Sequence, residues 1–162
     1  MPADFTPLEG GCACGGVRFR LTRAPLIVHC CHCSACQRET GSAFVVNALV
    51  ESAHVELLEG QPRLVTVATD SGKGQAIHRC PTCQVAVYSH YLGFIAGVSF
   101  VRVGTLDDPR ALAPDVHIYT RSKQPWLTLP DDVPQHEGYY AAKSTWSAST
   151  LARVRALRAV PD

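Results

Sequence analysis

Seven of the eight cysteines in this 162-residue chain fall into three tight clusters: Cys12-Ala13-Cys14, Cys31-His32-Cys33-Ser34-Ala35-Cys36 and Cys80-Pro81-Thr82-Cys83. Cysteines this close in sequence are poor disulfide partners for each other but suit a soft cation. In a tetrahedral zinc site the Zn–S bonds are ~2.3 Å, which sets thiolates roughly 3.8 Å apart. One ion takes four ligands, and the clustered thiols exceed that number. They predict two metal sites, one complete and one short of a protein ligand, with zinc the leading ion. Cys12 and Cys14 stand far upstream of Cys80 and Cys83. An ion shared by those pairs would close a long loop and remove much freedom from the unfolded chain. Cys30 reads as a buried small apolar residue, with a spare ligand or a redox partner as the other readings.

The length predicts one domain, or one domain with an appendage, large enough to bury a core of its own. A hydrophobic share of 46% and a charged share of 18% are ordinary for a globular chain. The formal net charge of +1 offers no broad basic surface for nucleic acid. No apolar run approaches the ~20 residues of a membrane span, and Met1-Pro2-Ala3-Asp4-Phe5 lacks a signal-peptide pattern. These features predict a cytoplasmic protein with reduced thiols, against the rival of a secreted disulfide framework.

From Gly10 to about Val103 the pattern is that of β-structure. Gly16–Leu21 alternates apolar and polar residues directly after the first cysteine pair. Leu26–Cys30 runs into the second cluster, and Ala43–Val50 is rich in β-branched residues. His54–Gly60, Arg63–Ala68, Gln75–Arg79, Ala86–Tyr91 and Phe94–Val103 complete the series, with a hairpin-type turn at Ser71-Gly72-Lys73-Gly74. Many short strands predict a mainly β fold in which metal-binding pairs at strand ends clip distant segments together. Ser34–Thr40 reads as a single helical turn ended by Gly41; Ser149–Val160, with Leu151, Val154 and Leu157 three apart, reads as a short amphipathic helix, with a solvated, fraying tail the other reading.

The cysteine segments, together with Gln37-Arg38, Gly41-Ser42, Gly104-Thr105-Leu106-Asp107-Asp108-Pro109, Pro114–Tyr119 and Trp126, resemble the glutathione-dependent formaldehyde-activating enzyme family, also called the centromere protein V type domain. The likeness covers residues 7–136 as a zinc-binding domain and leaves 137–162 as a partly helical tail. It implies a β-tent fold of small antiparallel sheets. Carried over by position, it implies a structural zinc on Cys12, Cys14, Cys80 and Cys83 and a second zinc on Cys31, Cys33 and Cys36. His32 stands between two of those ligands and is not one in the family pattern. The chain departs from the family where Gln84-Val85 follow Cys83 in place of glycine, and where Arg79 precedes Cys80 in place of an aromatic.

The activity implied is that of a carbon–sulfur lyase resembling S-(hydroxymethyl)glutathione synthase, joining a thiol such as glutathione to an aldehyde. The alternative is a non-enzymatic binding module in which both zincs are structural. A three-thiolate zinc keeps one position open and lowers the pKa of a bound thiol, so Cys31, Cys33 and Cys36 are the catalytic candidates. Glutathione carries two carboxylates, which makes Arg38 and Lys73 candidate binding residues, with ordinary surface charge the other reading; Ser42 is a candidate donor to a site thiolate, or a residue of the turn after Gly41. His117 reads as a packed strand residue, with acid–base work the sharper alternative. Asp107-Asp108-Pro109 reads as a capped turn. An edge strand or the C-terminal helix could support a homodimer.

Overall fold

A computed structural model describes residues 5–69 and 71–159. The N-terminal Met1–Asp4 segment and Val160, the expected end of the last helix, lie outside the described residues. Among the described residues ten strands form two sheets. The smaller sheet holds β1 (Leu8–Gly11), β2 (Arg18–Leu21) and β5 (Val55–Glu59), antiparallel in the order β1-β2-β5. The larger holds β3 (Ile27–Cys31), β4 (Val45–Glu51), β6 (Arg63–Val67), β7 (Gln75–Arg79), β8 (Ala86–Tyr91), β9 (Val98–Arg102) and β10 (Val116–Ile118). Its order is β10-β3-β4-β9-β8-β7-β6, antiparallel except where β10 runs parallel to β3. Among the described residues the α-helices are α1 (Ser34–Thr40), α2 (Ala142–Thr145) and α3 (Ala148–Ala159). The architecture is mainly β with short C-terminal helices, as the sequence pattern predicts. Among the described residues no helix is long and apolar enough to cross a membrane.

The larger sheet is apolar on both faces at its centre, which is why β3, β4 and β9 read as nearly continuous hydrophobic runs. Strand alternation sorts their side chains into two cores. Val28, Ala48, Val50 and Val101 join Val17, Phe19 and Leu21 in a core that also contains Cys12 and Cys80. Ile27, Cys31, Val45, Leu49, Val98 and Phe100 point the other way, into a core closed by Tyr140, Trp146 and Val154. Each fully buried aliphatic or aromatic side chain contributes roughly 1.5–3 kcal/mol relative to exposure. Gly60 is sterically required: a Cβ there, at φ 72°, would stand 2.0 Å from the Gly16 carbonyl oxygen.

α3 is fastened to the sheet by polar contacts as well as by packing. Thr150 Oγ1 donates to the Leu26 carbonyl at 2.8 Å, and Arg153 donates to the Ala24 carbonyl at 2.7 Å and to Glu51 Oε1 at 2.7 Å. Glu51 is only 3% exposed. Burial opposes its charge, and the Arg153 guanidinium overcomes that and holds the carboxyl below its ordinary pKa. Arg153→Ala leaves a buried carboxylate short of its main cation, a loss expected to cost about 3 kcal/mol in urea unfolding. The sign for pH follows from the lowered folded pKa. The contribution is fully present above pH 4.5, the ordinary value, and is lost as pH falls through the folded value. Wild type therefore loses more stability between pH 5 and acid pH than Arg153→Ala does, measurable as the pH dependence of the urea midpoint.

Candidate metal centres

Cys12 and Cys14 sit on the turn between β1 and β2, and Cys80 and Cys83 on the turn between β7 and β8. The fold brings these turns together so that all four Sγ atoms lie within 4.8 Å of one another. Cys12 and Cys14 are 3.5 Å apart and Cys14 and Cys80 are 3.7 Å apart, close to the edges of a tetrahedral zinc–thiolate site at roughly 3.8 Å. Backbone N–H groups point at the sulfurs: Val17 N donates to Cys12 Sγ at 3.2 Å. The Val85 and Cys14 N–H groups draw the Cys83 thiol down to about 6, toward the thiolate that metal binding needs. Gln84 stands where the family pattern has glycine and adopts φ 62°. It therefore keeps the left-handed turn of a glycine, secured by its side-chain bond to the Pro81 carbonyl at 2.8 Å.

Cys31 ends β3, and Cys33 and Cys36 flank the first turn of α1. Their Sγ atoms form a second group, again within 4.8 Å. Cys33 is the N-cap of α1, its sulfur accepting the Cys36 N–H at 3.3 Å. At the other end Gly41, φ 65°, closes the helix by donating to the Gln37 carbonyl at 2.8 Å. Gln37 braces the turn through bonds to the His32 and Ser122 carbonyls, both 2.8 Å. Hydrogen bonds from the Cys31 and Cys36 thiols, then from backbone N–H groups, push Cys33 far below the ordinary thiol range. Hydrogen bonds with the Cys33 and Cys36 thiols, and then burial, raise Cys31. Cys31 and Cys36 are buried, whereas Cys33 is half-buried and forms the approach to the group.

Cys30 and His32 belong elsewhere. Alternation along β3 sends them to the opposite side from Cys31. There they meet His117 of β10, in a third group within 4.8 Å. His32 Nε2 and His117 Nδ1 are 2.9 Å apart, a direct hydrogen bond between two buried imidazoles. His117 is thus a packed strand residue. Among the described residues no His, Asp, Glu or further Cys joins the Cys31, Cys33, Cys36 group.

Of the candidate binding residues, Arg38 lies on the exposed side of α1 and Ser42 is exposed just beyond its cap. Lys73 projects from the β6–β7 turn across Gly93. What the sequence pattern did not reveal is a set of aromatics packed against the core that holds Cys31 and Cys36. Phe94 and Tyr91 pack on Phe100 at centroid distances of 5.2 and 4.8 Å, and Tyr119 stands 6.4 Å from Tyr139. Burial first, and then the charge of nearby cysteines, raises the phenols of Tyr91 and Tyr119 and keeps them protonated.

Residues 7–122 match the family of glutathione-dependent formaldehyde-activating enzymes. The chain belongs to that family. In fold it is similar to the crystal structure of a Rhodobacter sphaeroides protein determined by structural genomics. The TM-score is 0.50 at 19% identity, covering 79% of this chain and 99% of the other. Family membership connects the chain with glutathione- and formaldehyde-related chemistry, and its cysteine clusters could hold metal.

Proposed function

We propose that the protein is a zinc-dependent carbon–sulfur lyase that forms, or reverses the formation of, a hydroxymethyl thioether from a thiol such as glutathione and formaldehyde. In this reading Cys12, Cys14, Cys80 and Cys83 hold a structural zinc, and Cys31, Cys33 and Cys36 hold a functional one. The observation that carries it is a converged group of three thiols without a fourth protein donor among the described residues. A structural zinc site is closed by four protein ligands, and a catalytic one keeps a position for substrate.

A zinc ion held there would favour the thiolate form of a bound substrate thiol. The chain's own residues do the rest. The half-buried edge at Cys33 admits the thiol, and the packed aromatics limit water. The thiolate sulfur attacks the aldehyde carbon, a C–S bond forms, and the carbonyl π pair moves onto oxygen. A protonated phenol such as Tyr119 is suited to donate a hydrogen bond to that oxygen as its charge develops. The phenol or solvent completes the hydroxyl. Arg38, Ser42 and Lys73 remain proposed contacts for the polar ends of glutathione.

The test is exchange of ¹³C-formaldehyde with glutathione, followed by NMR at equilibrium. Zinc-loaded protein is expected to accelerate exchange in proportion to its concentration. A rate equal to that of buffer with free zinc would reject the lyase reading and favour a binding module.

A further inference from the structure

The C-terminal segment beyond the family match shapes a groove that the cysteine chemistry does not use. Its volume is about 550 Å³, within the range of small-molecule sites. The floor and walls are apolar and aromatic: Phe94, Ile95, Tyr139, Tyr140, Trp146 and Leu151. Lys143 of α2 and Arg155 and Arg158 of α3 supply the charge, and among the described residues no acidic side chain lines the groove.

The helix orientation that creates this arrangement is well determined by contacts. Thr150 and Val154, four residues apart, face the sheet and are buried. Leu151, Arg155 and Arg158 therefore share the neighbouring face, which turns to the groove. The aromatic floor is equally fixed. Trp146 Nε1 donates to the Tyr140 hydroxyl at 2.6 Å, and that hydroxyl meets His29 Nε2 at 2.5 Å. Tyr139 and Tyr140 stack with centroids 4.7 Å apart. An apolar, pre-organised floor beneath several like charges is complementary to an anion with an apolar body. Arginine forks pair well with carboxylates, and ring faces cover the remainder of such a ligand.

We propose that this groove is a binding site for organic carboxylates bearing an aromatic or aliphatic body. Arg155 and Arg158 hold the carboxylate and the Phe94–Trp146 floor holds the body. Tyr139 belongs both to this groove and to the aromatic set beside the second cysteine group, so the site adjoins that centre without depending on its metal.

The probe pair is 4-phenylbutyrate and its neutral amide, with affinities measured by calorimetry and by Trp146 emission in a Trp126→Phe background. Trp126 is 70% exposed, and the chain has two tryptophans, so Trp146 becomes the single reporter. The carboxylate is expected to bind at least tenfold more tightly than the amide. Arg155→Glu/Arg158→Glu should remove that preference while leaving the amide unchanged. Both arginines are exposed, so the fold should persist, as circular dichroism can verify. Cys33→Ser should leave carboxylate binding intact, which separates this site from the lyase reading. Equal affinity for acid and amide, a preference that survives charge reversal, or no saturable binding by either method would overturn the proposal.

Discussion

Cys80→Ser is expected to prevent stable folding. Cys80 is 1% exposed and belongs both to a four-thiol group and to the core around Val17 and Val87. Structural zinc contributes about 10–16 kcal/mol in small zinc-folded peptides, comparable with the whole ~5–15 kcal/mol stability of a domain. A ligand set reduced to three should forfeit several kcal/mol of that and release the turns before β2 and β8 from each other. Packing and ligation are separated by Cys14→Ser, since Cys14 is exposed and has little core to lose. Both variants should show loss of cooperative thermal unfolding, and a chelator should do the same to wild type. A Cys14→Ser protein that melts as wild type does would show that the four thiols do not stabilise the fold through metal.

Cys33→Ser should have the opposite character: a folded protein without activity. Serine is itself among the best N-caps, so it can still accept the Cys36 N–H and start α1. What it removes is the thiolate favoured by its neighbours and the accessible edge of the three-cysteine group. The exchange of formaldehyde with glutathione should fall by about 10³-fold or more, equivalent to ~4 kcal/mol of barrier. Unfolding midpoints should stay near wild type. Retained exchange in a folded Cys33→Ser protein would remove Cys33 from the chemistry.

Most strands that flank the cysteine turns were legible because local signals agreed with the fold. β7 and β8 span the expected residues, and α1 ends at the expected glycine. β1 was not read as a strand, and β10 was anticipated only through His117 as a packed strand residue. β1 includes Gly10 and Gly11, poor strand formers whose value lies in close approach: a Cβ on Gly10 would stand 2.5 Å from the Thr105 carbonyl oxygen. β10 has three residues and owes its form to parallel pairing with β3, a partner far away in sequence. The last helix was visible through Leu151, Val154 and Leu157, yet its docking depends on Thr150 and Arg153. Those contacts reach Leu26 and Glu51 across the fold, which no local periodicity encodes. The separation of Cys30 and His32 from Cys31 follows from strand alternation alone. The aromatic surroundings do not, since Phe94, Tyr119 and Tyr139 meet through tertiary packing.

The most direct measurement is zinc per chain, by mass spectrometry of the metal, in wild type and in Cys33→Ser/Cys36→Ser. Two separable centres, one structural and one open, predict about two ions per chain falling to about one in a variant that remains folded. Glutathione binding should disappear with the lost ion. One ion per chain in both proteins would contradict a functional metal at Cys31, Cys33 and Cys36.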